Sequence, residues 1–134
     1  MTAVIGIDVG TVRFGVAASD PNRILATPVI SLQNDKELMT NLRREVDQRG
    51  AKTIVVGLPK NMDGTEGDAA AAARDFADRV KKDFGLKVEL WDERLTTVQA
   101  EKSLIANDVK RNRRKEIKDS VAAAIMLQSW LDRR

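Results

Sequence analysis

The sequence contains no cysteine and no histidine. Without cysteine there are no disulfides and no thiol catalysis, a composition that fits a cytoplasmic protein. Without histidine there are no His–Glu zinc hydrolases, no serine–histidine triads and no imidazole acid–base chemistry. Any metal must sit on oxygen ligands, which favours Mg²⁺ or Mn²⁺. No run approaches the roughly 20 apolar residues of a membrane span. The N-terminus enters Val4, Ile5 and Ile7 directly, lacking the basic and long apolar regions of an export signal. No membrane partner is expected.

What is present describes a globular domain. The chain has 134 residues, 43% apolar and 32% charged, enough for one core and too few for two. A single domain over residues 1–134 is expected, without repeats, linkers or low-complexity segments. The net charge of +3 is a weak pointer to nucleic acid, and its distribution carries more information.

Residues 2 to 8 are apolar and β-branched and read as a central strand ending at Asp8. Gly10 to Arg13 form a turn, and Phe14 to Ser19 read as a second, antiparallel strand. Asp20, Pro21 and Asn22 make the next turn. Ile24 to Ser31 read as a third strand, with Pro28 suggesting a sheet edge. Leu38, Leu42 and Val46 recur every four residues and predict a helix ended by Gly50. Thr53 to Gly57 is a short apolar strand, and Pro59 to Gly67 a glycine-rich loop. Asp68 to Asp83 is a second helix, with Ala69, Ala73, Phe76 and Val80 on its buried face. Leu86 to Trp91 is a fifth strand. Thr96 or Thr97 can cap a third helix reaching about Ile105. Residues 107–115 read as a mobile basic loop, and Glu116 to Leu131 as the last helix. The first three strands fit a meander, and the later two fit right-handed crossovers that extend the sheet in parallel.

Three acids stand out. Asp8 ends the most apolar strand, where an ionised carboxylate is costly without a partner or a metal. It also suits an Asx-turn at the Asp-Val-Gly-Thr corner, where Gly10 keeps side chains clear. Glu93 directly follows the fifth strand, at the kind of strand end where α/β sheets bind ligands. Asp92 competes with it; adjacent strand residues face opposite ways, so only one of the pair enters a site. Asp119 lies near the start of the last helix on a face shared with Ala122, Ala123 and Met126. Two alanines beside an acid suggest close approach to the sheet, although an acid there also suits the helix dipole. Three carboxylates from three elements can hold two divalent ions about 4 Å apart and hydrolyse a phosphodiester.

The surroundings are basic. Arg13 lies just past the turn after Asp8, placed either for a scissile phosphate or for a surface acid. The loop 57–67 offers backbone N–H groups and Lys60 to a phosphate backbone. Arg94, Thr96 and Thr97 follow Glu93. Lys110, Arg111, Arg113, Arg114 and Lys115 form a cluster that would draw in a polyanion, or simply a solvated loop. Trp91 and Trp130 sit in core-like patterns that favour packing over base stacking.

Four segments carry a family resemblance. Ile5-Gly-Ile-Asp-Val-Gly-Thr-Val-Arg-Phe-Gly-Val-Ala17 resembles the opening motif of the YqgF/RuvX family of Holliday junction resolvases and pre-16S ribosomal RNA nucleases. Val56-Gly-Leu-Pro-Lys-Asn-Met-Asp-Gly-Thr-Glu-Gly67, Asp92-Glu-Arg-Leu-Thr-Thr97 and Lys118-Asp-Ser-Val-Ala-Ala123, continuing to Leu131, resemble its second, third and fourth. The resemblance spans essentially the whole chain. It implies a ribonuclease H-like α/β fold: a five-stranded mixed sheet, its first three strands antiparallel, flanked by helices. It places the family's acids on Asp8, Glu93 and Asp119, preferring Glu93 to Asp92. It implies Mg²⁺ or Mn²⁺ at those acids, and cleavage at the 5′ end of precursor 16S ribosomal RNA by an endo- or exonuclease. The expected partners are RNA, with structured DNA as the alternative, and ribosome-associated factors, the protein acting as monomer or homodimer.

Other functions remain in view. A resolvase of four-way DNA junctions would act as a dimer. A catalytically silent nucleic-acid adaptor, for example in transcription, would leave the acids dispensable. An actin-like nucleotide-binding fragment shares the Asp-x-Gly-Thr turn but would need a second such domain.

Overall fold

The computed structural model describes residues 2–96 and 114–133, with side chains in the last helix from Asp119 onward. The elements are β1 (Val4–Asp8), β2 (Arg13–Ser19), β3 (Ala26–Gln33), α1 (Leu38–Arg49), β4 (Thr53–Leu58), α2 (Asp68–Phe84), β5 (Lys87–Asp92), a 3₁₀ turn (Glu93–Leu95) and α3 (Arg114–Asp132). The helix expected between Thr96 and Ile105 lies outside the described residues, as does most of the basic segment; Arg114 and Lys115 belong to the backbone of α3.

The sheet has five strands in the order β3-β2-β1-β4-β5. β1 pairs antiparallel with β2, and β2 with β3. β4 is parallel to both β1 and β5. Pro28 stands on the edge strand, where its missing N–H costs no ladder bond. The period-two alternation of strand side chains divides the apolar residues between two cores. Ile5, Ile7, Val16, Ile54 and Val56 face α1 and α2 through Leu42, Val46, Ala73, Phe76 and Val80. Val4, Ala17 and Val55 face α3 through Ala123, Ala124, Leu127 and Trp130. The interior strand β4 is buried throughout, which is why it reads as an uninterrupted apolar run.

Several local expectations shift. β3 starts at Ala26 and continues to Gln33 rather than running from Ile24 to Ser31. The backbone N–H groups of Ile24 and Leu25 donate to Asp20 Oδ1 instead of a ladder, both at 2.8 Å. The buried side chain of Gln128 on α3 closes the remaining gap. Its Nε2 donates to Ile24 O at 3.0 Å, and its Oε1 accepts from Ala26 N at 2.8 Å. In α2, Ala73, Phe76 and Val80 are buried as expected, while Ala69 is exposed and Ala70 and Ala77 complete the stripe. In α3, Ala122 is exposed and Ala123 is buried. The close approach of helix to sheet is made by strand glycines together with Ala123 and Ala124, not by the pair Ala122 and Ala123.

Candidate functional site

β1, β4 and β5 are mutually parallel through β4, so Asp8, Leu58 and Asp92 finish at the same end of the sheet. Asp8 pairs with Gly15 across β2. On its other side, the register after Ile7↔Val56 brings Gly57 alongside, and Gly57 pairs with Trp91. Asp8 is thus flanked in the sheet by two glycines, on the face that carries Val4, Ala17 and Val55 toward α3.

Each glycine admits one of the other acids. A Cβ on Gly15 would collide with the backbone carbonyl of Asp119. Glycine at that point lets the first turns of α3 lie against β2, which carries Asp119 to the end of β1. A Cβ on Gly57 would stand 2.5 Å from Glu93 Oε1. Here glycine leaves room for the Glu93 side chain beside Asp8. Sequence reasoning named neither glycine as a site residue. The available signal was an isolated glycine inside an apolar strand, which marks close approach.

The three expected acids come together in part. Asp8 and Glu93 share a hydrogen bond between carboxyl groups. Burial, then the charge and hydrogen bond of Asp8, push Glu93 up to about 7. Burial also raises Asp8, helped by the charge on Asp119 and opposed by the hydrogen bond from Glu93. The physical picture is a half-buried pair holding one proton, with Glu93 donating to the Asp8 carboxylate. Asp119 lies within electrostatic reach of Asp8, but its Oδ2 accepts from Arg13 Nε at 2.9 Å. Among the described residues, no three acids already converge tightly enough to cage an ion. The donor set nevertheless fits a hard divalent cation: oxygen ligands only, half-buried, with excess negative charge that a cation would neutralise in place of the shared proton.

Strand parity separates Glu93 from Asp92. Trp91 packs toward the α3 core, and Glu93 follows two residues later on that side. Asp92 points away and caps the 3₁₀ turn, accepting from Arg94 N at 2.9 Å. It also holds the Arg94 guanidinium, with Nη2 to Oδ2 at 2.7 Å. That bond is the main reason the Asp92 carboxyl titrates below its usual range.

The remaining candidates occupy the rim. Arg94 Nη1 reaches Met62 O at 3.5 Å and ties the 57–67 loop to the 3₁₀ turn. Lys60 pairs with Glu66 at 3.8 Å, and Arg74 holds the same carboxylate with two short bonds. Thr96 ends the 3₁₀ turn, its N–H donating to Glu93 O at 3.1 Å. Thr97, Lys110, Arg111 and Arg113 lie outside the described residues, as does the side chain of Arg114. Trp130 is buried, and Trp91 packs partly buried against the α3 core, as expected for packing residues.

A family model described as "RuvX: Holliday junction resolvase" matches residues 2–133. A relative from Geobacillus kaustophilus named "Putative pre-16S rRNA nuclease" is 46% identical over 132 residues, covering 96% of each chain. A relative of the same name from Cereibacter sphaeroides is 46% identical over 133 residues, covering 98% of this chain and 83% of its own. In fold, the chain is similar to the Thermus thermophilus RuvC solved with a Holliday junction substrate. The TM-score is 0.65 at 11% identity, over 97% of this chain and 94% of that one. With four motifs in order, a ribonuclease H-like sheet and near-full-length matches on both sides, the chain belongs to the YqgF/RuvX family.

Proposed function

We propose that this protein is a metal-dependent nuclease that processes the 5′ end of precursor 16S ribosomal RNA in the cytoplasm, with Asp8, Glu93 and Asp119 as its catalytic acids. The observation that carries the reading is the Asp8–Glu93 carboxyl pair, half-buried at the strand ends, with Glu93 raised by burial and the charge of Asp8, and Asp8 raised by burial and the charge of Asp119. A structural ion pair would place a cation there; this arrangement instead concentrates negative charge where a divalent ion is stabilising. The names of the close relatives supply the substrate.

Asp8, Glu93 and Asp119 would hold Mg²⁺ or Mn²⁺, two ions in the proposed active state. When bound, the metal supplies an acidified water and neutralises charge on the phosphate and the leaving oxygen. The protein's own groups do the rest. Glu93 gives up the proton it shares with Asp8, leaving both carboxylates free to bind. Arg13, half-exposed and adjacent to the acids, exchanges Asp119 for a phosphate oxygen, so that substrate entry releases the third acid. Lys60, Arg94, Thr96 and Thr97 would line the path of the backbone. Lys110, Arg111, Arg113 and Arg114 would gather the polyanion. Ribosome-associated factors are the partners such a reaction would meet.

The description of the matching family favours one second reading, cleavage of four-way DNA junctions. Both are tested by incubating the protein with Mn²⁺ or Mg²⁺ and either a labelled precursor 16S leader RNA or a labelled junction, beside Asp8→Asn. RNA cleavage lost in the variant supports the first reading. Paired symmetric cuts in the junction move the assignment to the second. Binding without acid-dependent cleavage overturns both and leaves a nucleic-acid adaptor.

A further inference from the structure

The rim of the site displays apolar side chains where solubility alone would place polar ones. Met62 is 94% exposed, Val12 62% and Leu95 54%. They stand on three loops at one end of the sheet: Val12 after β1, Met62 after β4 and Leu95 after β5. Their presentation is ordered. The Met62 turn is closed by Asn61 N to Thr65 O at 2.9 Å, Gly64 N to Asn61 O at 2.8 Å and Thr65 Oγ1 to Asp63 Oδ1 at 2.6 Å. Arg94 then ties the carbonyl of Met62 to the turn that carries Leu95. The Val12 turn is braced by Asn34, whose backbone N–H donates to Val12 O and whose Nδ2 donates to Thr11 O, both at 2.9 Å.

The Met62 turn is thus held by its own hydrogen bonds with the side chain in water. The chain has two tryptophans, three phenylalanines and no tyrosine, and all five aromatic residues are buried or half-buried. No exposed aromatic ring is available to stack on a base. Each rim apolar residue stands beside a cation in sequence: Val12 before Arg13, Leu95 after Arg94, Met62 two residues after Lys60. Alternating apolar and cationic side chains match a nucleic-acid strand whose bases are turned out, apolar groups meeting base faces and cations meeting phosphates.

We propose that Met62 and Leu95, with Val12 across the site, form an aliphatic clamp for unpaired nucleobases beside the scissile phosphate. The clamp makes the enzyme select single-stranded or frayed RNA over continuous duplex. It rests on the reading of this end of the sheet as a nuclease site and adds the conformational class of the substrate. The groups are positioning residues; the chemistry stays with the acids.

The test uses the full chain with chelator, so that binding is read without cleavage. One probe is a short oligoribonucleotide carrying 2-aminopurine in a single strand; the other is the same sequence closed into a perfect hairpin stem. The single strand should change fluorescence on binding. Met62→Ala with Leu95→Ala should together weaken its binding by roughly ten-fold while leaving stem binding within about two-fold, each aliphatic contact contributing less than an aromatic ring stacked on a base. Met62→Phe should tighten single-strand binding, a gain that loss of folding cannot imitate. Equal weakening on both probes, or fluorescence and affinity that ignore all three changes, overturns the clamp while acid-dependent cleavage leaves the nuclease reading intact. Absence of binding to either probe, together with absence of cleavage, overturns both, and points to a protein as the occupant of the rim.

Discussion

Replacing Glu93 by glutamine should stabilise the metal-free protein at neutral and alkaline pH while abolishing cleavage. Glu93 is raised from the ordinary 4.5 to about 7, first by burial and then by Asp8. Its folded-state value lies above its unfolded value, so between about 4.5 and about 7 the native chain binds more protons than the unfolded one. Stability from this group is fully present below 4.5 and is lost as pH rises through 7. Taken at face value, the gap corresponds to roughly 3 kcal/mol. The carboxyl is only half-buried, and solvent screening reduces this to about 1 kcal/mol. Glutamine keeps a donor for Asp8 and carries no charge. The variant should therefore match the parent near pH 4.5 and exceed it above pH 7 by about 1 kcal/mol, or about 3–5 °C in Tm. Urea or thermal unfolding in EDTA at pH 5 and pH 8 reads this directly. Adding Mg²⁺ at pH 8 should stabilise the parent more than the variant. A variant that is equally or less stable at both pH values would refute the picture of a strained carboxyl pair.

The two glycines flanking Asp8 should respond differently to an added methyl group. Gly15→Ala meets the backbone of Asp119, which cannot rotate away, and should cost about 2–3 kcal/mol in denaturant unfolding together with activity. Gly57→Ala meets only the flexible end of Glu93; it should change stability by less than about 1 kcal/mol yet cut kcat roughly 100-fold by displacing that carboxylate. Gln128→Leu leaves Ile24 O and Ala26 N without their partner and should cost about 2–3 kcal/mol, measurable by thermal melts, with early hydrogen exchange at the start of β3. Arg13→Ala should leave Tm nearly unchanged, since a half-exposed pair contributes about 0–1 kcal/mol. It should tighten Mn²⁺ binding by freeing Asp119 and weaken RNA binding, both read by calorimetry.

The order and type of the described strands and α-helices were legible in the chain because burial imposes a period, whereas the 3₁₀ turn at Glu93–Leu95 was not. β4 reads as an apolar run because both its faces are covered, α1 as a four-residue repeat because one face is. Pro28 located the edge strand for the same kind of local reason. The misplaced boundaries share a cause as well. Ile24 looks like strand, yet its N–H is satisfied by Asp20 and its carbonyl by Gln128, a residue 104 positions away. The buried face of α2 was read correctly at Ala73, Phe76 and Val80 and missed only at its first turn, where Ala70 rather than Ala69 is covered, because five consecutive alanines carry no internal contrast.

Composition alone determined that no thiol, disulfide or imidazole takes part and that any metal rests on oxygen. The motif spacing determined the family resemblance and the candidate acids. Local chemistry did not choose between Asp92 and Glu93, because two adjacent carboxylates beside an arginine are equivalent until the strand has a covered face. The packing of Trp91 under α3 breaks that equivalence, sending Glu93 toward Asp8 and Asp92 toward Arg94. The roles of Gly15 and Gly57 were likewise decided in three dimensions. A missing side chain has meaning only relative to the atoms that occupy its space, and those atoms come from α3 and from the 3₁₀ turn after β5.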